Sequence, residues 1–211
     1  MLANMRELFY NPLHTDWFYS FLAIPNLENI TAELINLKNS NVKQWRKNNY
    51  YVNILEEDAR PLCPHVMQYL SNAGVAHKFE RFLYSGNATT SDSVHIDSYD
   101  PAYCQTSLNI PLYDCEESYT AWYSTKHKKL NDFSSTGINL NIGQQFAWLP
   151  MTEVEEIARV EVTRPMLVNT TILHRGIIPN ANRTLCGIRF TSPLTHEEIK
   201  NLGIDKPFVQ L

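Results

Sequence analysis

Three side chains in this sequence have the types and spacing to hold one metal ion. His95 and Asp97 lie two positions apart in Val94-His95-Ile96-Asp97-Ser98, a stretch that reads as an extended segment. Residues i and i+2 of a strand point to the same face, so the imidazole and the carboxylate can reach the same ion. His174, in Ile172-Leu173-His174-Arg175-Gly176, completes the set from a distant strand that the fold must bring alongside. Two histidines and one carboxylate on one face leave neighbouring coordination positions open, the ligand set suited to Fe(II) acting on O2. A fourth protein ligand would remove a reactive position. Arg183, nine positions after His174, adds a planar, permanently charged group suited to a two-point grip on a co-substrate carboxylate.

Taken singly, each of these residues is ordinary; order, strand context and Arg183 together make the metal reading. They resemble the corresponding residues of the Fe(II)/2-oxoglutarate-dependent dioxygenases, in particular the branch of prolyl hydroxylases and aspartyl-hydroxylase-like proteins. The resemblance is carried by His-x-Asp at 95–97 and by the run His174-Arg175-Gly176-Ile177-Ile178-Pro179-Asn180-Ala181-Asn182-Arg183-Thr184. The segment Ser107-Leu108-Asn109-Ile110-Pro111-Leu112 also looks like the strand that follows the motif in that family, and the similarity spans roughly residues 78 to 191.

The resemblance implies a double-stranded β-helix (jelly roll, cupin-like). It implies Fe(II) at His95, Asp97 and His174, with 2-oxoglutarate chelating the iron and its far carboxylate meeting Arg183. Ser107 and Asn109 are the polar candidates where relatives use a tyrosine to help hold the co-substrate. Halogenase relatives lack the carboxylate ligand, so Asp97 points to hydroxylation, with O2 consumed, succinate and CO2 as co-products and ascorbate as an accessory reductant. An amino acid, a peptidyl side chain or another small molecule is the expected substrate, with Tyr99, Tyr103, Trp122 and Arg189 as candidate contacts. Two other classes stay open: a cupin-like metal enzyme that uses no 2-oxoglutarate, and a non-catalytic jelly-roll binding module.

The elements that must position these residues are mainly β, with helices at the N-terminal end. Leu27, Ile30, Leu34 and Leu37 recur at helical spacing, with Asn26 as expected N-cap and Asn39-Ser40-Asn41 as the stop. A second helix is expected over Pro64 to Ala73, with Val66, Tyr69 and Leu70 on one stripe and Gly74 ending it. From Lys78 the period changes to short β-rich runs: Lys78 to Tyr84, Ser93 to Ser98, Cys104 to Leu112, Tyr119 to Ser124, Gln144 to Leu149, Arg159 to Thr163, Met166 to Asn169, Ile172 to Ile177 and Arg183 to Phe190. In the last run Arg183, Leu185, Gly187 and Arg189 fall on one face, so two arginines share it. Capping-box patterns at Thr152-Glu153-Val154-Glu155 and Thr195-His196-Glu197-Glu198 predict two helical turns. The organisation expected is one domain over 1–211: a helical support over 1–77, a β core over 78–191 and a helical tail over 192–211.

The 211 residues, 44% hydrophobic and 19% charged, have the composition of an ordinary globular domain. A net charge of −4 gives no electrostatic reason for sequence-independent nucleic-acid binding. Lys126-His127-Lys128-Lys129 is the one basic cluster, and it reads as a solvated loop. No run approaches the ~20 apolar residues of a membrane helix, and the first residues do not read as a signal peptide. Cys63, Cys104, Cys115 and Cys186 lack metal-type pairing and read as reduced thiols. A cytoplasmic compartment is the expectation, and the four glycosylation sequons, such as Asn29-Ile30-Thr31, carry no meaning there. His14, His65, His77, His127 and His196 fit no ligand geometry.

Overall fold

A computed structural model of the chain describes residues 18–44, 51–86, 93–97, 106–125, 136–139, 144–179 and 182–204; for 51, 93, 136–139 and 144–148 it describes the backbone alone. The strands are β1 (Tyr19–Phe21), β2 (Tyr51–Leu55), β3 (Phe79–Ser85), β4 (Ser93–Ile96), β5 (Thr106–Tyr113), β6 (Tyr119–Thr125), β7 (Thr136–Asn139), β8 (Gln144–Pro150), β9 (Val154–Glu161), β10 (Met166–Asn169), β11 (His174–Ile177) and β12 (Thr184–Phe190). They form two six-stranded sheets, ordered β1-β10-β5-β12-β3-β2 and β7-β8-β4-β11-β6-β9, with every pairing antiparallel. From β3 to β6, and again from β9 to β12, each successive strand lies in the other sheet. This alternation places β4 beside β11 although the two are far apart in sequence.

Period-2 patterning assigns a different partner to each sheet face. On the first sheet, Leu108, Ile110, Leu167, Cys186, Ile188 and Phe190 pack with the helices α1 (Leu27–Asn39) and α2 (Pro64–Asn72) in one large core. Ile30, Leu34 and Leu37 of α1 and Val66 and Leu70 of α2 are its helical contribution. The opposite face of the same strands supplies Met166, Val168 and Leu185, which meet Trp122 of the second sheet between the layers. Tyr84 ties sheet to helix by donating its hydroxyl to the Leu34 carbonyl at 2.8 Å.

Several local expectations change. Asn26 does precede α1, but in left-handed backbone (φ 54°) and with no side-chain cap bond. The stretch expected as helical support over 1–77 also contributes β1 and β2, short strands on the two edges of the first sheet. The capping-box pattern at Thr152 does not start a helix: one 3-10 turn, Met151–Glu153, leads into β9. Seven residues of β6 find partners on β9, and that pairing outweighs a four-residue local signal. β7, which includes Gly137, is not among the expected strands. At Thr195 the capping box is formed, with Thr195 accepting from the Glu198 N–H ahead of the short helix α3 (His196–Asn201). Gly74 (φ 77°) ends α2, and Cys63, Cys115 and Cys186 are free thiols. Among the described residues, no helix is long and apolar enough to cross a membrane.

Candidate metal centre

His95 and His174 are paired residues of adjacent strands β4 and β11. Their rings lie on the inner face with centroids 4.6 Å apart. Val94 and Ile96, the alternate residues of β4, pack on the opposite side of the sheet with Tyr123 and Leu149. Asp97 continues past the end of β4 and its backbone N–H donates to the Thr170 carbonyl at 3.2 Å. This bond anchors the carboxylate beside the tight β10–β11 connection, where Asn169 Oδ1 accepts from the Thr171 N–H and hydroxyl.

The three side chains converge on one point. His95 Nε2 stands 3.3 Å and His174 Nε2 3.8 Å from the same oxygen of Asp97, Oδ1. Neighbouring ligand atoms about 2.1 Å from a shared ion are about 3 Å apart, so small side-chain movements bring all three into contact with one metal. Among the described residues this is the single cluster of three or more such groups, its ligand atoms all within 4.8 Å of one another. His174 Nδ1 lies 2.8 Å from the Ile172 carbonyl oxygen. A carbonyl can only accept, so Nδ1 carries the proton and Nε2 offers its lone pair to the site.

The electrostatics suit a cation. Burial, with a contribution from neighbouring His95, lowers the His174 pKa to about 4, which leaves it neutral and ready to ligate. Burial alone would raise the Asp97 carboxyl, but the Arg189 guanidinium and the hydrogen bond from His95 outweigh it and hold the group well below the usual carboxylate range. A pH dependence of stability follows in the metal-free protein. Unfolded histidine takes a proton near 6.5 while folded His174 resists until about 4. Across that window the unfolded chain holds more protons, so acidification destabilises the fold, by about 3 kcal/mol from this residue. Thermal melts of metal-free protein between pH 7 and pH 4 should show the loss, and His174→Gln should flatten that slope.

The other candidates divide between two ends of β12. Arg189 donates from Nη1 to Asp97 Oδ2, so it joins the metal cluster. Ser107 is paired with Arg189, and Asn109 with Gly187, across β5 and β12. Ser107 Oγ bonds Asn109 Oδ1 at 2.6 Å on the inner wall. Both therefore sit toward the Arg189 end and not beside Arg183. Arg183, just before β12, is only 2% exposed. Its guanidinium reaches the inner face of β11, where a Cβ added to Gly176 would lie 3.8 Å from Nη1. Gly86 lets the end of β3 pass the Arg183 carbonyl, with which any Cβ at 86 would collide. Gly176 is two residues beyond His174 on the same face, roughly 7 Å along the strand. A bifunctional anion of a few carbons spans that distance. Trp122, paired with His174 across β6 and β11, is fully buried and donates Nε1–H to the Asn169 carbonyl at 3.1 Å. It stacks on Tyr19 at 5.7 Å and packs with Phe18, Met166, Val168 and Leu185 between the sheets. Tyr99 and Tyr103 lie outside the described residues.

Two participants are not apparent from spacing to the metal motif. Thr120 is paired with Gly176 and, two residues before Trp122, shares its inward face, which puts its buried side chain on the Arg183 side of the site. Strand period on β6 is the signal that finds it. The Ile172 carbonyl, which sets the His174 tautomer, belongs to a backbone turn and leaves no trace in residue types.

No family model matches this chain, and no curated protein does. Solved structures similar to it include SnoK, a non-heme α-ketoglutarate-dependent carbocyclase from nogalamycin biosynthesis, at 10% identity, TM-score 0.46, covering 90% of this chain and 85% of that one. HygX from Streptomyces hygroscopicus, with nickel and 2-oxoglutarate bound, is 9% identical at TM-score 0.44, covering 91% and 88%. A prolyl-4-hydroxylase from Pseudomonas putida is 9% identical at TM-score 0.41, covering 90% and 98%.

Proposed function

We propose that this chain is an Fe(II)- and 2-oxoglutarate-dependent oxygenase built on a double-stranded β-helix, with residues 78–191 as the core of a single domain. In this reading it hydroxylates an amino acid, a peptidyl side chain or another small molecule. The observation that carries it is the convergence of His95 Nε2, His174 Nε2 and Asp97 Oδ1 at 3.3 and 3.8 Å, with the buried Arg183 on the same interior.

His95, Asp97 and His174 hold the metal from one side and leave the other side to co-substrate and O2. Fe(II) bound there supplies the coupling of O2 reduction to oxidation of 2-oxoglutarate, with succinate and CO2 as co-products. Everything else is done by the chain. Ile172 keeps the His174 proton on Nδ1, and Arg189 keeps Asp97 ionised. Arg183 meets the far carboxylate of 2-oxoglutarate, aided by the Thr120 hydroxyl. Trp122 and the apolar side chains around it close the floor against water.

Anaerobic titration of the Fe(II)-loaded protein with 2-oxoglutarate tests this directly. Chelation gives a charge-transfer absorption that should saturate at one co-substrate per chain, and succinate should form once O2 and ascorbate are admitted. Metal uptake without that absorption, with activity on some other substrate, would replace this reading with a cupin-like enzyme that needs no keto acid.

A further inference from the structure

We propose that Arg189 is a positioning residue that fixes which oxygen of Asp97 faces the metal and keeps that carboxylate a one-point ligand. The inference rests on the metal-site reading above. Both histidine Nε2 atoms face Oδ1, and Arg189 Nη1 donates to the other oxygen, Oδ2. Asp97 is held at two separate points. Its backbone is tied to Thr170 at the head of the β10–β11 connection, while its carboxylate is tied to β12 across the interior.

The consequence follows from torsional freedom and coordination number. The last torsion of an aspartate is broad and roughly two-fold, so backbone anchoring alone does not choose between the oxygens. A free carboxylate binds a metal through one oxygen or through both. If the bound ion were six-coordinate, three protein ligands would leave three positions, two for a chelating keto acid and one for O2. A two-point Asp97 would take one of the last three, and co-substrate chelation and O2 could not then coexist. A guanidinium is the suited restraint, because it is always charged, donates in a fixed plane and has no lone pair with which to become a ligand itself. Arg81, paired with Arg189 across β3 and β12, forms an ion pair with Glu80.

The test compares wild type with Arg189→Met, which keeps length and loses the donor, and Arg189→Lys, which keeps one charged donor. Each protein is loaded with Zn(II), and the separation of the carboxylate stretching bands is read by infrared difference spectroscopy, with isotope-labelled aspartate. Wild type and Arg189→Lys should show the wide separation of one-point binding, and Arg189→Met the narrow separation of chelation. In the Fe(II)-loaded proteins, Arg189→Met should weaken 2-oxoglutarate about 10- to 100-fold, in the range of outer-shell substitutions. Should Arg189→Met not fold, as judged by circular dichroism, Arg189→Leu, which also lacks a donor, carries the same expectation. A wide band separation retained in the neutral variant overturns the proposal even if activity falls, as does a narrow one in wild type. Wild type that takes up no metal overturns both this inference and the oxygenase reading; loading with unchanged carboxylate bands overturns this one alone.

Discussion

Asp97→Ala should lower Fe(II) affinity by about 10²- to 10³-fold. A four-ligand zinc site is worth about 10–16 kcal/mol, so one ligand of a small set carries about 3–4 kcal/mol. Here the lost ligand is also the anion. Asp97 is the carboxylate that faces His95, His174 and Arg189 together. Without it, an incoming cation meets two imidazoles and the guanidinium, which repels it. Asp97→Asn should be nearly as damaging, because it keeps the shape and removes the charge. The measurement is anaerobic titration with Fe(II) or Co(II), alongside a thermal melt to show that the variants fold. A variant that binds within tenfold of wild type would remove Asp97 from the ligand set and take the metal reading with it.

How much of this site could be read from the sequence depends on the range over which each contact is specified. His95 lies on β4 and Asp97 directly follows its end, so strand period accounts for their side chains facing the same way. β10 was legible in full as Met166 to Asn169, bounded by Pro165 and a polar turn. Joining His174 to this pair was also within reach, because two sheets made of alternating strands leave few partners for β4. By contrast, the Arg189–Asp97 contact spans the interior, and its existence depends on the gap between the sheets. The alternation on β12 placed Arg183 and Arg189 on one face but did not say which would meet the metal cluster. Ser107 and Asn109 were expected near the co-substrate on the strength of a resemblance. Register sets them opposite Arg189 and Gly187, toward the metal end.

The misread elements have the same origin. β1 is three residues long and β2 is an edge strand, and both exist because β10 and β3 offer them open edges. Nothing local in Tyr19-Ser20-Phe21 demands a strand. Thr152-Glu153-Val154-Glu155 satisfies a helix-start pattern, yet Val154 to Glu161 is also β-compatible, and β6 supplies the partner that decides. Local signals prevailed where tertiary pairing made no competing offer, as at Thr195, whose capping box formed as expected.

The separation of roles along β12 gives the second large effect. Arg183→Ala should weaken 2-oxoglutarate by about 30- to 4000-fold, corresponding to the roughly 2–5 kcal/mol lost when one partner of a buried, hydrogen-bonded charge pair is removed. Arg183 is 2% exposed, so water cannot replace the guanidinium around the stranded carboxylate. Arg183→Lys should also bind poorly, because an ammonium does not reproduce the planar two-point contact. Metal affinity and the Asp97 carboxylate bands should stay as in wild type, since Arg183 reaches Gly176, two residues along β11 from the nearest ligand. Arg189→Ala should lose less co-substrate affinity, and only together with a change at Asp97. Anaerobic 2-oxoglutarate titrations of the Fe(II)-loaded variants separate the two arginines. If Arg189→Ala abolishes co-substrate binding while Arg183→Ala retains it, the far carboxylate sits at the metal end of β12 and the two assignments must be exchanged, although the enzyme class would survive.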